Sequence, residues 1–269
     1  MSGGTRTPRD ANGSVAGGFA KGGFAEGITP WGDPRGGVGS TMRAALYWAP
    51  EVDDPLHALG ARWLGRDPET AATVPQPEIP GLDLAEATAE ARRYGLHATL
   101  KAPFRLAQPF PALREAVQRL AATTEPFDLP PLVLENFGGF LALREAEPCP
   151  ALQALADEAV RQLDPCRAPL SEAERARRRP ERLDASRREK LDRWGYPDVF
   201  EDWRFHVTLT RRLSPEEEAL VRPVLERHLG DIPARPRRVT SVSLFTQGSP
   251  EVPFLISERF PLGAAAGAG

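Results

Sequence analysis

From Met42 onward the chain divides into short blocks whose apolar positions recur either every second residue or every third to fourth, the spacings of strands and helices. Residues 42–50, MRAALYWAP, are nearly all apolar and close on a proline, which predicts a buried strand and a turn. Leu56, Leu59 and Trp63 are spaced for one face of a helix over 55–64, and Gly65 stands where a helix end favours a left-handed residue. A proline-rich connection over 68–80 leads to a second amphipathic block over 83–93, closed by Tyr94-Gly95. Further helices are predicted over 111–122, over 150–163, and from Ser214-Pro215 to Leu229-Gly230. Strands are predicted over 127–135 and 139–144, joined at Asn136-Phe137-Gly138, and over 204–213, 238–246 and 252–260.

Between these blocks, Ser171 and Glu174 have the spacing of a capping box, and a helical stretch then alternates arginine with Glu and Asp as far as Trp194-Gly195. Such a mixed-charge segment, over about 165–200, reads as a solvated face, with a lid reaching an anionic ligand as the functional alternative. Residues 1–41 are crowded with Gly, Ser, Thr and Pro and lack either period, so they are expected to form a disordered leader with Met42 as the functional start. Residues 263–269 are expected to be a disordered tail, leaving one domain over 42–262. The order of strands and helices predicts an α+β fold built from two related halves.

The strongest chemical signal is a repeated word. His97-Ala98-Thr99-Leu100 and His206-Val207-Thr208-Leu209 use two of the four histidines in the chain. On a strand, His and Thr two positions apart share a face while the residues between them face the opposite way. Two such strands brought together would place two imidazoles and two hydroxyls on one cleft. A neutral imidazole can deprotonate water, a protonated one can supply the leaving oxygen with a proton, and the hydroxyls can bond phosphoryl oxygens. Histidine suits this because its ordinary pKa, about 6.5, allows both protonation states near neutral pH. Either histidine can take either role at this level, since the two words are chemically alike.

Composition narrows the field. A chain of 269 residues with 41% hydrophobic content can bury a sizeable core. A net charge of −3 and a pI near 5.9 lack the basic excess of a dedicated nucleic-acid binder. Cys149 and Cys166 form no CxxC pair and are expected to be free thiols in a reducing compartment. No apolar run is long enough to cross a bilayer and no signal-peptide pattern opens the chain, so a cytoplasmic protein is expected. The histidines form no H-x-H or H-E-x-x-H cluster, so no metal site and no cofactor are expected.

With its two copies of H-x-T-apolar, the chain resembles the two-histidine (2H) phosphoesterase superfamily. The stretch Arg93-Tyr94-Gly95-Leu96-His97-Ala98-Thr99-Leu100-Lys101-Ala102-Pro103-Phe104, with Trp194-Gly195-Tyr196-Pro197 and Phe205-His206-Val207-Thr208-Leu209-Thr210, is similar to a subgroup encoded beside phosphonate-degradation genes, the domain of unknown function 1045. The likeness runs from about 42 to 262. It implies a bilobal fold of two antiparallel sheets related by an approximate two-fold, with helices outside and a cleft between. It also implies metal-independent hydrolysis of a small phosphodiester, often cyclic, by His97 and His206, with Thr99 and Thr208 holding the phosphate.

Supporting roles are expected from Lys101 and Thr210, which share ideal strand parity with the two words, and from Arg211, which needs a bend to reach the cleft. Tyr94 is expected to pack the helix end or touch the substrate, and His57 and His228 to be structural. The partner is then a small phosphodiester. Competing readings are an RNA 2′,3′-cyclic phosphodiesterase, disfavoured by the acidic pI, and a phosphometabolite-binding protein without turnover.

Overall fold

The computed structural model describes residues 42–263. The expected leader over 1–41 and the tail beyond Gly263 lie outside the described residues. In chain order the elements are β1 (Arg43–Trp48), α1 (Pro55–Leu64), α2 (Leu84–Ala87), α3 (Ala89–Arg92), β2 (Ala98–Arg105), α4 (Phe110–Ala122), β3 (Phe127–Leu129), β4 (Leu132–Phe137) and β5 (Phe140–Glu145). Then follow α5 (Pro150–Leu163), α6 (Glu172–Arg177), α7 (Ala185–Trp194), β6 (Val207–Arg212), α8 (Pro215–Leu229), β7 (Arg237–Val239), β8 (Ser241–Gln247) and β9 (Leu255–Pro261).

The α+β class is the expected one, and the strands form two antiparallel sheets. The larger has the order β4-β5-β6-β2-β1-β8-β9, and the smaller is β3-β7. The two histidine words therefore belong to the two central strands. β2 and β6 meet through a single registered pair, Ala98 opposite Val207, after which they diverge. Outward from that junction β2 continues through β1 and β8, and β6 through β5 and β4, an arrangement consistent with two related halves.

Local sequence explains the frame. α1 begins at Asp54, whose side chain accepts from the Leu56 amide, and ends at Gly65 in the left-handed region, φ 79°. α8 opens with a complete capping box between Ser214 and Glu217, and α6 with the one expected between Ser171 and Glu174. Trp63, Leu46, Leu100, Phe205 and Leu209 are fully buried in the main core, and each such side chain contributes roughly 1.5–3 kcal/mol through removal from water. α5 packs its Leu152, Leu155, Ala159 and Leu163 stripe inward beneath β2.

Three expectations break at identifiable residues. The helix over 83–93 is interrupted at Thr88, whose hydroxyl bonds the Leu84 carbonyl and accepts from Gln76. The strand over 127–135 splits at Pro130-Pro131, and its first part leaves to pair with β7. The arginine-rich helix divides into α6 and α7 because Pro180 follows Arg179, itself left-handed at φ 48°.

Candidate active site

Ala98 opposite Val207 fixes the geometry of the site. Extending that antiparallel pair by one residue places His97 across from Thr208 and Thr99 across from His206. All four lie on the face opposite to Ala98 and Val207, which are wholly buried. The two histidines are diagonal neighbours, a relation that sets Cβ atoms roughly 7–8 Å apart or somewhat less. Each word contains a carbonyl bonded to a buried indole: Trp203 donates to Thr99 O at 2.8 Å, and Trp63 to Leu209 O at 3.0 Å. These bonds hold the strands where the ladder between them ends.

The two imidazoles are presented alike. Nδ1 of His97 lies 2.9 Å from the carbonyl of Gly95, and Nδ1 of His206 lies 2.9 Å from the carbonyl of Arg204. A carbonyl only accepts, so Nδ1 carries the proton in each neutral ring. Nε2 is left for a ligand, and among the described residues it has no hydrogen-bond partner in either histidine.

Their surroundings differ. His97 is packed by Tyr47 at 4.1 Å, Tyr94 at 5.6 Å and Phe245 at 6.2 Å between ring centroids. Burial pushes its pKa down to about 4 against the bond from the ring to Gly95 O, and the charge of His206 pushes the same way. His206 lies against Phe137 at 5.1 Å and Phe140 at 6.0 Å, both from the β4–β5 hairpin. Burial lowers its pKa too, as does the charge of Arg144, while the Arg204 carbonyl and Asp198 oppose the shift.

A cavity of about 390 Å³ opens beside His206. Thr99 and His206 form part of its lining, with Phe137, Phe140, Tyr196 and Trp203, the acidic Asp198 and Asp202, and the basic Arg187, Arg204 and Arg212. His97 and Thr208 are not in this lining. Tyr196 connects the two regions, because it lies near enough to Tyr47 to help raise the pKa of that phenol, which burial raises most.

Three expected supporting residues are engaged elsewhere, two of them through irregular pairing. On β2, Tyr47 pairs with Thr99 and Leu46 with Lys101, so Leu100 is an inserted residue and Lys101 turns to the opposite face. There it is 3% exposed, bonded to Asp164 at 2.9 Å and to the Val160 carbonyl at 3.2 Å. Thr210 lies in a larger irregularity of β6, where its hydroxyl accepts from the Leu141 amide at 3.0 Å. Arg211 turns away and is clamped by Glu86 and Glu217, with its shortest contact to each at 2.7 and 2.9 Å. Tyr94 stacks on Phe254 at 5.1 Å and meets the ring of His97 at 5.6 Å. His57 Nε2 lies 3.3 Å from a carboxylate oxygen of Asp67, and His228 Nε2 lies 2.8 Å from the Leu59 carbonyl.

Sequence reading missed Tyr47, Phe137, Phe140, Arg204 and Arg212. For Arg212 a signal was present: it shares ideal parity with Thr208. The aromatic residues arrive from β1 and the β4–β5 hairpin, which no local spacing ties to either word. Among the described residues, no cluster of three or more His, Cys, Asp or Glu is placed to hold a metal ion, and no helix is long and apolar enough to cross a membrane.

Comparison with known proteins gives three findings. A family model described as "Protein of unknown function (DUF1045)" matches residues 99–255. The chain is 36% identical over 255 residues to a protein of Janthinobacterium sp. (strain Marseille) named ribose 1,5-bisphosphate phosphokinase PhnN, covering 89% of this chain and 56% of that relative. A protein of the same name from Laribacter hongkongensis (strain HLHK9) is 38% identical over 177 residues, covering 64% and 41%. The chain thus spans about half the length of these curated relatives. Among solved structures, LigT of E. coli in apo form aligns with a TM-score of 0.41 and 13% identity, covering 83% of this chain and 98% of that one.

Proposed function

From the premise that the chain belongs to the DUF1045 family, we propose that it is a phosphodiesterase of the two-histidine type, acting on a small cyclic phosphodiester in phosphonate metabolism. The observation that carries this reading is the Ala98–Val207 pair, which sets both His-Thr pairs on one face with both Nε2 atoms available.

Roles follow from the surroundings. Held neutral by its aromatic packing, His97 takes a proton from the attacking water through Nε2. His206, beside Asp198, is the ring better suited to carry a proton, and it delivers one to the leaving oxygen as the old phosphorus–oxygen bond breaks and the new one forms. Thr99 and Thr208 donate to the non-bridging oxygens, where charge increases in the transition state. The proton lost by His206 and the one gained by His97 balance, and exchange with water resets the pair. A cavity of about 390 Å³ suits a ligand the size of a sugar phosphate.

The kinase name of the curated relatives fits this chain poorly. Its lysines are Lys21, Lys101 and Lys190, none preceded by glycine, so it contains no G-x-x-x-x-G-K-[ST] phosphate loop. The relatives extend well beyond the stretch matched here. Their name still supports a phosphorylated pentose as the chemical setting: a diesterase opening a cyclic ribose phosphate releases a phosphomonoester of the kind such a kinase takes.

The test is hydrolysis of cyclic and linear phosphodiesters by purified protein in EDTA. Turnover of a cyclic substrate is expected, with a loss of about a hundredfold or more in His97→Asn and in His206→Asn. Activity that needs an added divalent metal, or full activity in either variant, would overturn the proposal.

A further inference from the structure

Three arginines, Arg187, Arg204 and Arg212, line the cavity beside His206, together with the carboxylates of two aspartates, Asp198 and Asp202. Several arginines elsewhere are matched with carboxylates: Arg105 with Glu174, Arg167 with Asp164, Arg175 with Asp192 and Arg211 with Glu86 and Glu217. Arg204 and Arg212 are not. Among the described residues neither has a carboxylate within 4 Å, and both line the same cavity. Arg204 donates Nη1 to the carbonyls of Glu201 and Trp203, each at 2.7 Å, and Arg212 donates Nη1 to the Gly138 carbonyl. These bonds fix the two side chains through one nitrogen and leave their remaining N–H groups open.

The placement of Arg212 is built into the hairpin. Gly139 has φ 101°, and a Cβ there would stand 3.2 Å from Nη1 of Arg212, so glycine lets the guanidinium lie across the turn. The same wall holds Arg187, whose Nε is buried without a hydrogen bond although Asp202 and Asp198 lie 3.4 and 3.6 Å away. Asp202 is itself engaged by Lys190 at 2.6 Å. Asp198 remains as an acceptor suited to a hydroxyl of the ligand.

We propose that Arg204 and Arg212 bind a second phosphate of the substrate, one that is not hydrolysed, so that the ligand is a cyclic phosphodiester also bearing a phosphomonoester. This rests on the diesterase reading above and narrows its substrate class. Guanidinium forks match phosphate oxygens and remain charged at every working pH. The reacting diester occupies the His-Thr centre, and the monoester occupies the arginine end of the cavity beside the Phe137–Phe140 hairpin.

The experiment compares ribose 1,2-cyclic phosphate with and without a 5-phosphate, using wild type, Arg204→Gln, Arg212→Gln and Arg212→Lys, with each fold checked by circular dichroism. Wild type should favour the 5-phosphorylated compound at least tenfold in kcat/KM. Each Gln variant should lose about tenfold to a hundredfold on that compound, mainly through KM, and less than threefold on the other. Arg212→Lys should retain part of the preference. Equal losses on both compounds, or no wild-type preference, would overturn the second-phosphate site while leaving the diesterase standing. If neither compound turns over, the diesterase reading fails for this class. Calorimetric binding of ribose 1,5-bisphosphate against ribose 1-phosphate then decides the site: tighter binding of the bisphosphate, lost in Arg212→Gln, supports it, and equal affinities overturn it.

Discussion

The two halves of the cleft start from the same word and end as different environments. Around His97 the side chains are aromatic: Tyr47, Tyr94 and Phe245 surround the ring, and no carboxylate opposes the effect of burial. Around His206 two phenylalanines supply the packing, but Asp198, Arg144, Arg204 and Arg212 bring charge close by. Identical hydrogen bonds from Nδ1 thus fix the same tautomer twice, while packing separates the proton affinities. Such a separation is what the proposed reaction asks of two like residues, one to accept a proton and one to supply it.

The comparison breaks most severely if either imidazole is removed. Replacing His97 or His206 by Asn should reduce kcat by about 10²–10⁴ with little change in the melting temperature, as measured by steady-state kinetics and thermal denaturation. The two losses should fall far short of adding in the double variant, because the rings act as a unit.

Next in size is a pH effect on stability that belongs to the His97 half. A folded-state pKa near 4, below the ordinary value of about 6.5, means that the unfolded chain binds the proton more tightly. The contribution is therefore present above pH 6.5 and lost as the pH falls toward 4, with an upper limit of about 3 kcal/mol. Denaturant titrations at pH 7 and pH 4.5 should show this loss in wild type and a smaller one in His97→Gln.

Lys101 separates stability from activity. Removing it leaves Asp164 still bonded by Arg167, so Lys101→Met should cost about 1–3 kcal/mol of stability, with kcat of the folded protein within threefold of wild type. A large fall in kcat with unchanged KM would return the lysine to the reacting centre.

A gentler change sharpens the contrast. Asp198→Asn removes the carboxylate that supports the protonated form of His206. The alkaline limb of the kcat/KM profile should then move to lower pH, while the acid limb, set by His97, stays in place. Smallest of all, Arg211→Gln should alter activity less than twofold and stability by less than about 1 kcal/mol, since its partners are surface carboxylates.

What the sequence made legible follows the range of the interactions involved. Helices with local punctuation, such as 55–64 with Gly65 at its end or 150–163 opening on Pro150, were readable to the residue because caps and stripes lie within a few positions. Both histidine strands were readable for the same reason. Lys101 and Thr210 were misplaced because inserted residues on β2 and β6 reverse or suspend the alternation, and those irregularities arise from pairing with β1 and β5 rather than from the words themselves. The aromatic surroundings depend on strand order across the seven-stranded sheet, so nothing near His97 in the chain announces Phe245, and nothing near His206 announces Phe137.

The claim on which the rest depends is that both rings address one phosphoryl group. Nitrogen-15 NMR of histidine-labelled protein, titrated with inorganic phosphate at pH 6.5, tests it most directly. The account predicts that the Nε2 resonances of His97 and His206 shift together along a single binding curve, with His57 and His228 unaffected. A response from one of the two rings alone, or separate curves for each, would contradict it.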